Sequence, residues 1–109
     1  MFYLLSVDVG RISDQTVCCV WRVNIKQDRY HASLVNIVVL GREAKTKMFR
    51  QQAIDLKHMI RDYQPKEVVI DINGLGVGLG DEMIQQQIDE NGEILPAYGF
   101  SNDPTYKKV

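Results

Sequence analysis

The chain has 109 residues, 45% of them hydrophobic and 25% charged, with a formal net charge of −1; that is enough for one domain with its own core, and ordinary for a soluble globular protein. No apolar run approaches the roughly 20 residues of a membrane span, and the N-terminus lacks the basic region and small-residue cleavage site of a secretory signal. The two cysteines, Cys18 and Cys19, are adjacent and have no CxxC partner, which disfavours a zinc cluster and points to a reducing, cytoplasmic setting.

Residues 2–9, FYLLSVDV, read as a buried strand that ends at an acid, Asp8. After a turn in GRISDQ, the β-branched and aromatic run TVCCVWRVNI forms a second strand with Trp21 in the core. KQDRYH supplies a hairpin turn, and ASLVNIVVLG a third strand closed by Gly41, so the first three strands make an antiparallel meander. The period then changes. Phe49, Ala53, Leu56, Ile60 and Tyr63 recur at helical spacing, the stripe of an amphipathic helix lying on a sheet. Thr46 is the expected N-cap and Pro65 the stop. EVVIDI is a fourth strand, which again ends near an acid, Asp71. Asp81 and Glu82 suit the N-terminus of a second helix, with Met83, Ile84 and Ile88 as its apolar face. ILPAYGF gives a fifth strand.

The expected order is β-β-β-α-β-α-β, an α/β fold with a mixed five-stranded sheet and helices packed on it. A right-handed crossover through the first helix returns strand four beside strand one and parallel to it. Parallel neighbours lie about 4.8 Å apart, so Asp8 and Asp71 would face each other at the carboxyl ends of adjacent strands, where open α/β sheets bind ligands. Two carboxylates that close repel unless a cation lies between them. Mg²⁺ or Mn²⁺ suits a shell of carboxylates and water, and a pair of such ions activates water and polarises a phosphodiester. The plain alternative is that both acids cap turns. Asp14, in the first turn, is a turn-capping residue on one reading and a further acid of the site on another.

GLGVGLG is not the dinucleotide fingerprint, since the third glycine position falls on Leu79, and it lacks the lysine of a P-loop. Its glycines allow a tight turn and close backbone approach. His31 and His58 read as isolated side chains and not as ligands. Residues 42–66 carry seven Lys or Arg against three acids, either a solvated helix face or a phosphate-contacting surface.

SVDVGRISDQTVCCVW, followed some sixty residues later by VVIDINGLGVGLGDEM, resembles the nuclease domain of tailed-phage terminase large subunits. The match is most specific at Asp71, Asn73, Gly74 and Gly76. The resemblance covers nearly the whole chain and implies a single ribonuclease-H-like domain over 1–109. It implies an endonuclease that cuts concatemeric viral double-stranded DNA during genome packaging, with Asp8 and Asp71 as catalytic metal ligands. Asp14 is carried over less firmly as a third. It further implies two Mg²⁺ or Mn²⁺ ions, the terminase small subunit and the portal protein as partners, no membrane, and action in the host bacterial cytoplasm. Members of that family complete the site with an acid on a C-terminal helix, which nothing in SNDPTYKKV provides. The chain therefore reads as a fragment, with an ATPase domain upstream and the last acid downstream. An actin-like or sugar-kinase-like ATPase lobe, whose first-strand D-x-G loop holds phosphate, is a competing reading, though Arg11 and Ile12 crowd that loop. A Holliday-junction-resolvase-like nuclease shares the fold, and a docking module with a decayed site is the non-enzymatic alternative.

Overall fold

The computed structural model describes residues 1–12, 15–41, 49–70, 76–99 and 107–108. The expected meander is present as three long strands, β1 (Phe2–Ile12), β2 (Gln15–Lys26) and β3 (Arg29–Leu40). The second hairpin is tighter than its polar sequence suggests. Lys26 pairs with Arg29 across Gln27 and Asp28, which take φ of 50° and 60°. Two consecutive positive φ values are the mark of a type I′ turn, whose twist matches that of the strands it joins. The register of β2 against β3 shifts between Val20, opposite Asn36, and Trp21, opposite Leu34. Val35 is thus the extra residue of a bulge.

Helix α1 (Phe49–Tyr63) follows the predicted stripe from its first residue to its last. Gln64 then turns left-handed at φ 48°, its N–H bonded to the Ile60 carbonyl at 2.9 Å, so the helix stops just before Pro65, as expected. The anticipated N-cap, Thr46, lies outside the described residues. Strand β4 (Glu67–Ile70) lies parallel to β1, with Leu4 to Val7 opposite Glu67 to Ile70. The crossover therefore delivers the strand to the place the β-α-β pattern demands. The sheet order is β3-β2-β1-β4-β7, where β7 (Lys107–Lys108) pairs antiparallel with β4. The fold is mixed α/β.

Other sequence expectations change. The second helix, α2 (Gly76–Met83), begins within the glycine run, so Asp81 and Glu82 occupy its last turn and not its first. Its buried face is Leu79 and Met83, both with no exposed surface, whereas Ile84 and Ile88 are exposed. The cause lies in Gly78, where a Cβ would run into the Phe49 ring of α1. Only a glycine lets the two helices approach so closely, and that fixes which side of α2 faces inward. Of the expected fifth strand, residues 94–100, the described residues do not join the main sheet; among them β6 (Ile94–Leu95) is extended, and it pairs with β5 (Gln87–Ile88) in a separate two-stranded ribbon. That ribbon is closed locally by Asp89 N–H to Glu93 O and Gly92 N–H to Asp89 O, both at 3.0 Å. Pro96, with no N–H to offer a ladder, follows it directly.

The core lies on one face of the sheet. Leu5, Val7, Val9, Cys18, Val20 and Leu40 meet Ala53, Leu56 and Met59 of α1 and Leu79 and Met83 of α2, with Val68 and Ile70 of β4 beside them. Each fully buried aliphatic side chain of this kind contributes about 1.5–3 kcal/mol through removal from water. Trp21, expected in the core, is instead half-buried on the opposite face, its indole Nε1–H donating to Ser6 Oγ at 3.0 Å. The pairing of Leu4 with Trp21 puts it one residue out of phase with Val20. Among the described residues, no helix is long and apolar enough to cross a membrane.

Candidate functional site

Of the three acids singled out in the sequence, the structure describes Asp8; Asp14 and Asp71 lie outside the described residues. Asp8 is exposed and paired with Val17 of β2, but it does not end the strand as expected: β1 runs on past an irregularity to Ile12, which pairs with Gln15. Alternation puts Asp8 on the face away from the helices, since Val7 before it and Val9 after it are buried in the core. Just beyond, Gly10 turns with φ 62° where the β1–β2 register slips, and its N–H donates to Thr16 Oγ1 at 3.2 Å. Val7 pairs with Ile70, and these residues immediately precede Asp8 and Asp71 in the chain.

A second group of polar side chains assembles where α1 meets the β5–β6 ribbon, from positions about thirty residues apart in the chain. His58, read as isolated, has its Nε2 at 2.9 Å from Asp89 Oδ2. The Asp89 side chain is only 1% exposed, and its other oxygen, Oδ1, accepts the N–H groups of Asn91 at 2.9 Å and Glu93 at 2.8 Å. The hydrogen bond to His58 is the main cause holding the Asp89 carboxyl below its ordinary value, helped by the two backbone donors and opposed by burial. One turn along α1, Arg61 Nη1 meets Glu93 Oε2 at 2.5 Å, and its Nε meets Asp62 Oδ1 at 3.0 Å. The donor atoms of His58, Asp89 and Glu93 lie within 4.8 Å of one another.

Lys57, next to His58, points inward. It is 1% exposed, and its ammonium donates to the Gln85 carbonyl at 2.5 Å and to Gln87 Oε1. Desolvation lowers its pKa, with Glu82 pulling the other way. Gln87 in turn donates to the Glu82 carbonyl at 2.6 Å, so one buried lysine ties α1 to the chain that follows α2. A groove of about 400 Å³ runs beside this junction, lined among others by Lys57, Ile60, Arg61, Glu93, Leu95 and Tyr98.

This geometry also bears on the basic excess of residues 42–66. Lys57 is buried, Arg61 is paired with acids, and Lys66 Nζ lies 4.7 Å from the centroid of the Phe2 ring. Those three cations serve the fold and do not form one phosphate-facing surface. His31 is exposed on β3, opposite Asn24. The local sequence DENGE does signal a turn, but the separation of 31 positions between His58 and Asp89 leaves no spacing pattern by which the pair could be found. Comparison of the chain with protein-family models, with curated proteins and with solved structures returns no match.

Proposed function

We propose that this chain is a ribonuclease-H-like, metal-dependent DNA endonuclease domain of the kind found in phage terminase large subunits, cutting double-stranded viral DNA during packaging in the host bacterial cytoplasm. The observation that carries the reading is the parallel pairing of β1 with β4, Val7 opposite Ile70, because each of those residues is followed in the chain by one of the two aspartates. The order of a meander and then a helical crossover is the order that the resemblance implies. On this reading Asp8 and Asp71, with Asp14 as a third acid, hold Mg²⁺ or Mn²⁺. Bound there by these carboxylates, such an ion would supply Lewis-acid activation of the phosphodiester and of a water nucleophile. Asp8 would hold the ion beside the carboxyl end of β4, just past the Val7–Ile70 pair. The small subunit and the portal are the partners such a domain would have.

The test is Mn²⁺-dependent nicking of supercoiled plasmid by the chain beside its Asp8→Asn and Asp71→Asn variants, with Mn²⁺ titrations followed by NMR on the same samples. The expected result is nicking that falls at least 100-fold in either variant, accompanied by paramagnetic broadening around residue 8 that Asp71→Asn abolishes. A folded sample that neither nicks DNA nor shows localised broadening would sink the proposal. ATP-dependent shifts at residues 8–16 in place of Mn²⁺ broadening would favour a phosphate-holding lobe.

A further inference from the structure

The cluster at the α1–ribbon junction is independent of the Asp8 edge and lies on the other side of the molecule's chemistry: an imidazole and two carboxylates instead of carboxylates alone. Asp89 is the centre of it. Its Oδ1 is fully engaged by the Asn91 and Glu93 N–H groups, which holds the buried side chain in one orientation and presents Oδ2 to His58. The ribbon turn is itself held by Asp89 N–H to Glu93 O and Gly92 N–H to Asp89 O, so Glu93 enters from a fixed backbone position. Helix α1 supplies His58 and, one turn on, Arg61.

Arg61 is shared between Asp62 and Glu93, while Asp89 Oδ2 meets His58 Nε2. The pair of nitrogen and oxygen donors selects among cations. Imidazole with carboxylates favours zinc-like transition metals over Mg²⁺ or Ca²⁺, which prefer oxygen alone.

We infer that His58 Nε2, Asp89 Oδ2 and the Glu93 carboxylate form a binding site for a zinc-like divalent transition metal, with a fourth position left to water from the adjoining groove. Zinc bonds of about 2.0–2.2 Å place tetrahedral donors roughly 3.4 Å apart. The His58–Asp89 separation of 2.9 Å need open only slightly, and the donor set, already within 4.8 Å, need contract by little more than an ångström. The Asn91 and Glu93 N–H groups on Oδ1 orient the ligating carboxylate from behind, as outer hydrogen bonds do in metal centres. Arg61 gives up Glu93 when the metal binds and keeps Asp62. The metal would then clamp α1 to the ribbon and raise thermal stability in proportion to its occupancy.

The experiment is Co²⁺ titration of the chain, followed by visible d–d absorption and displaced by Zn²⁺, in an Asp8→Asn/Asp71→Asn background that removes the other acids. One equivalent of Co²⁺ with tetrahedral intensity is expected, and His58→Gln and Glu93→Gln should each weaken it at least tenfold while circular dichroism shows both variants folded. Glu93 is exposed, so Glu93→Gln keeps the test valid should His58→Gln fail to fold. Absence of saturable Co²⁺ and Zn²⁺ binding, or wild-type affinity in either folded variant, would overturn the assignment. Failure of plasmid nicking leaves it untouched, since the two sites share no residue.

Discussion

Cys18 and Cys19 are consecutive in the chain, yet one is wholly buried among core residues beneath the helices and the other is half-exposed on the opposite face of the sheet. The same division runs through β1 and β2. Leu5, Val7, Val9, Cys18 and Val20 face α1 and α2, while Leu4, Ser6, Asp8, Cys19 and Trp21 alternate to the other side. Both faces carry apolar residues, and on β3 the exposed Leu34 and Ile37 continue the second one. What separates them is the layer of helices, not the composition of the strands. The covered face is a packed interior; the other carries a polar contact, Trp21 to Ser6, and the one acid of the expected nuclease site that the structure describes.

Truncation should expose that difference most strongly. Leu5→Ala, at a residue with no exposed surface, is expected to cost about 2–5 kcal/mol, a transfer loss plus a cavity. Ile37→Ala, at a residue 58% exposed, should stay within about 0.5 kcal/mol. Urea unfolding of the two variants measures both, and equal losses would mean that the second face is as tightly packed as the first.

Gly78→Ala probes what brings the helices onto the covered face. The added methyl meets the Phe49 ring, and overpacking of this kind costs about 1–3 kcal/mol. The gain in helix propensity returns up to about 1 kcal/mol. A net loss of about 1 kcal/mol in thermal or urea unfolding is the expected outcome. A stabilised variant would show that α2 can move off α1 without penalty.

The smallest effect near neutral pH, and the sharpest contrast, belongs to the thiols. Burial, with Cys19 adding to it, pushes the Cys18 thiol from 9.0 up to about 12. A thiol reagent at pH 8 should therefore modify Cys19 in the folded protein and reach Cys18 only as the chain unfolds. Because the folded pKa is raised, the unfolded chain releases this proton first as pH rises. The stability held by the neutral thiol is present below pH 9 and is lost progressively between about 9 and 12. Cys18→Ala should flatten that alkaline slope in denaturation measured across this window, whereas Cys19→Ala, which removes only the smaller of the two causes, should leave most of it.

Much of the architecture was legible because it rests on local periodicity. The alternation of β1 to β3, the helical stripe from Phe49 to Tyr63 and the stop at Pro65 are each set by residues within a turn or two of one another, and short-range sterics leave them little choice. The parallel return of β4 beside β1 followed from chain connectivity and the handedness of crossovers. Asp81 and Glu82, taken as a dipole signal, point to a helix start near them, yet the helix begins at Gly76. Its glycines, which permit the contact of Gly78 with Phe49, proved stronger.

By itself, then, the amino-acid order determined the meander, the crossover helix and the two aspartates that follow Val7 and Ile70. Only the tertiary structure decided which strand face would be covered, that Trp21 would stay out of the core, that residues 94–95 would close a ribbon of their own, and that His58 would meet Asp89 and Glu93. The physical reason is the range of the interactions. Strand and helix periods are imposed by the backbone over a few residues, whereas burial, close helix packing and the convergence of three donors depend on partners some thirty residues distant, brought together only when the helices settle on the sheet.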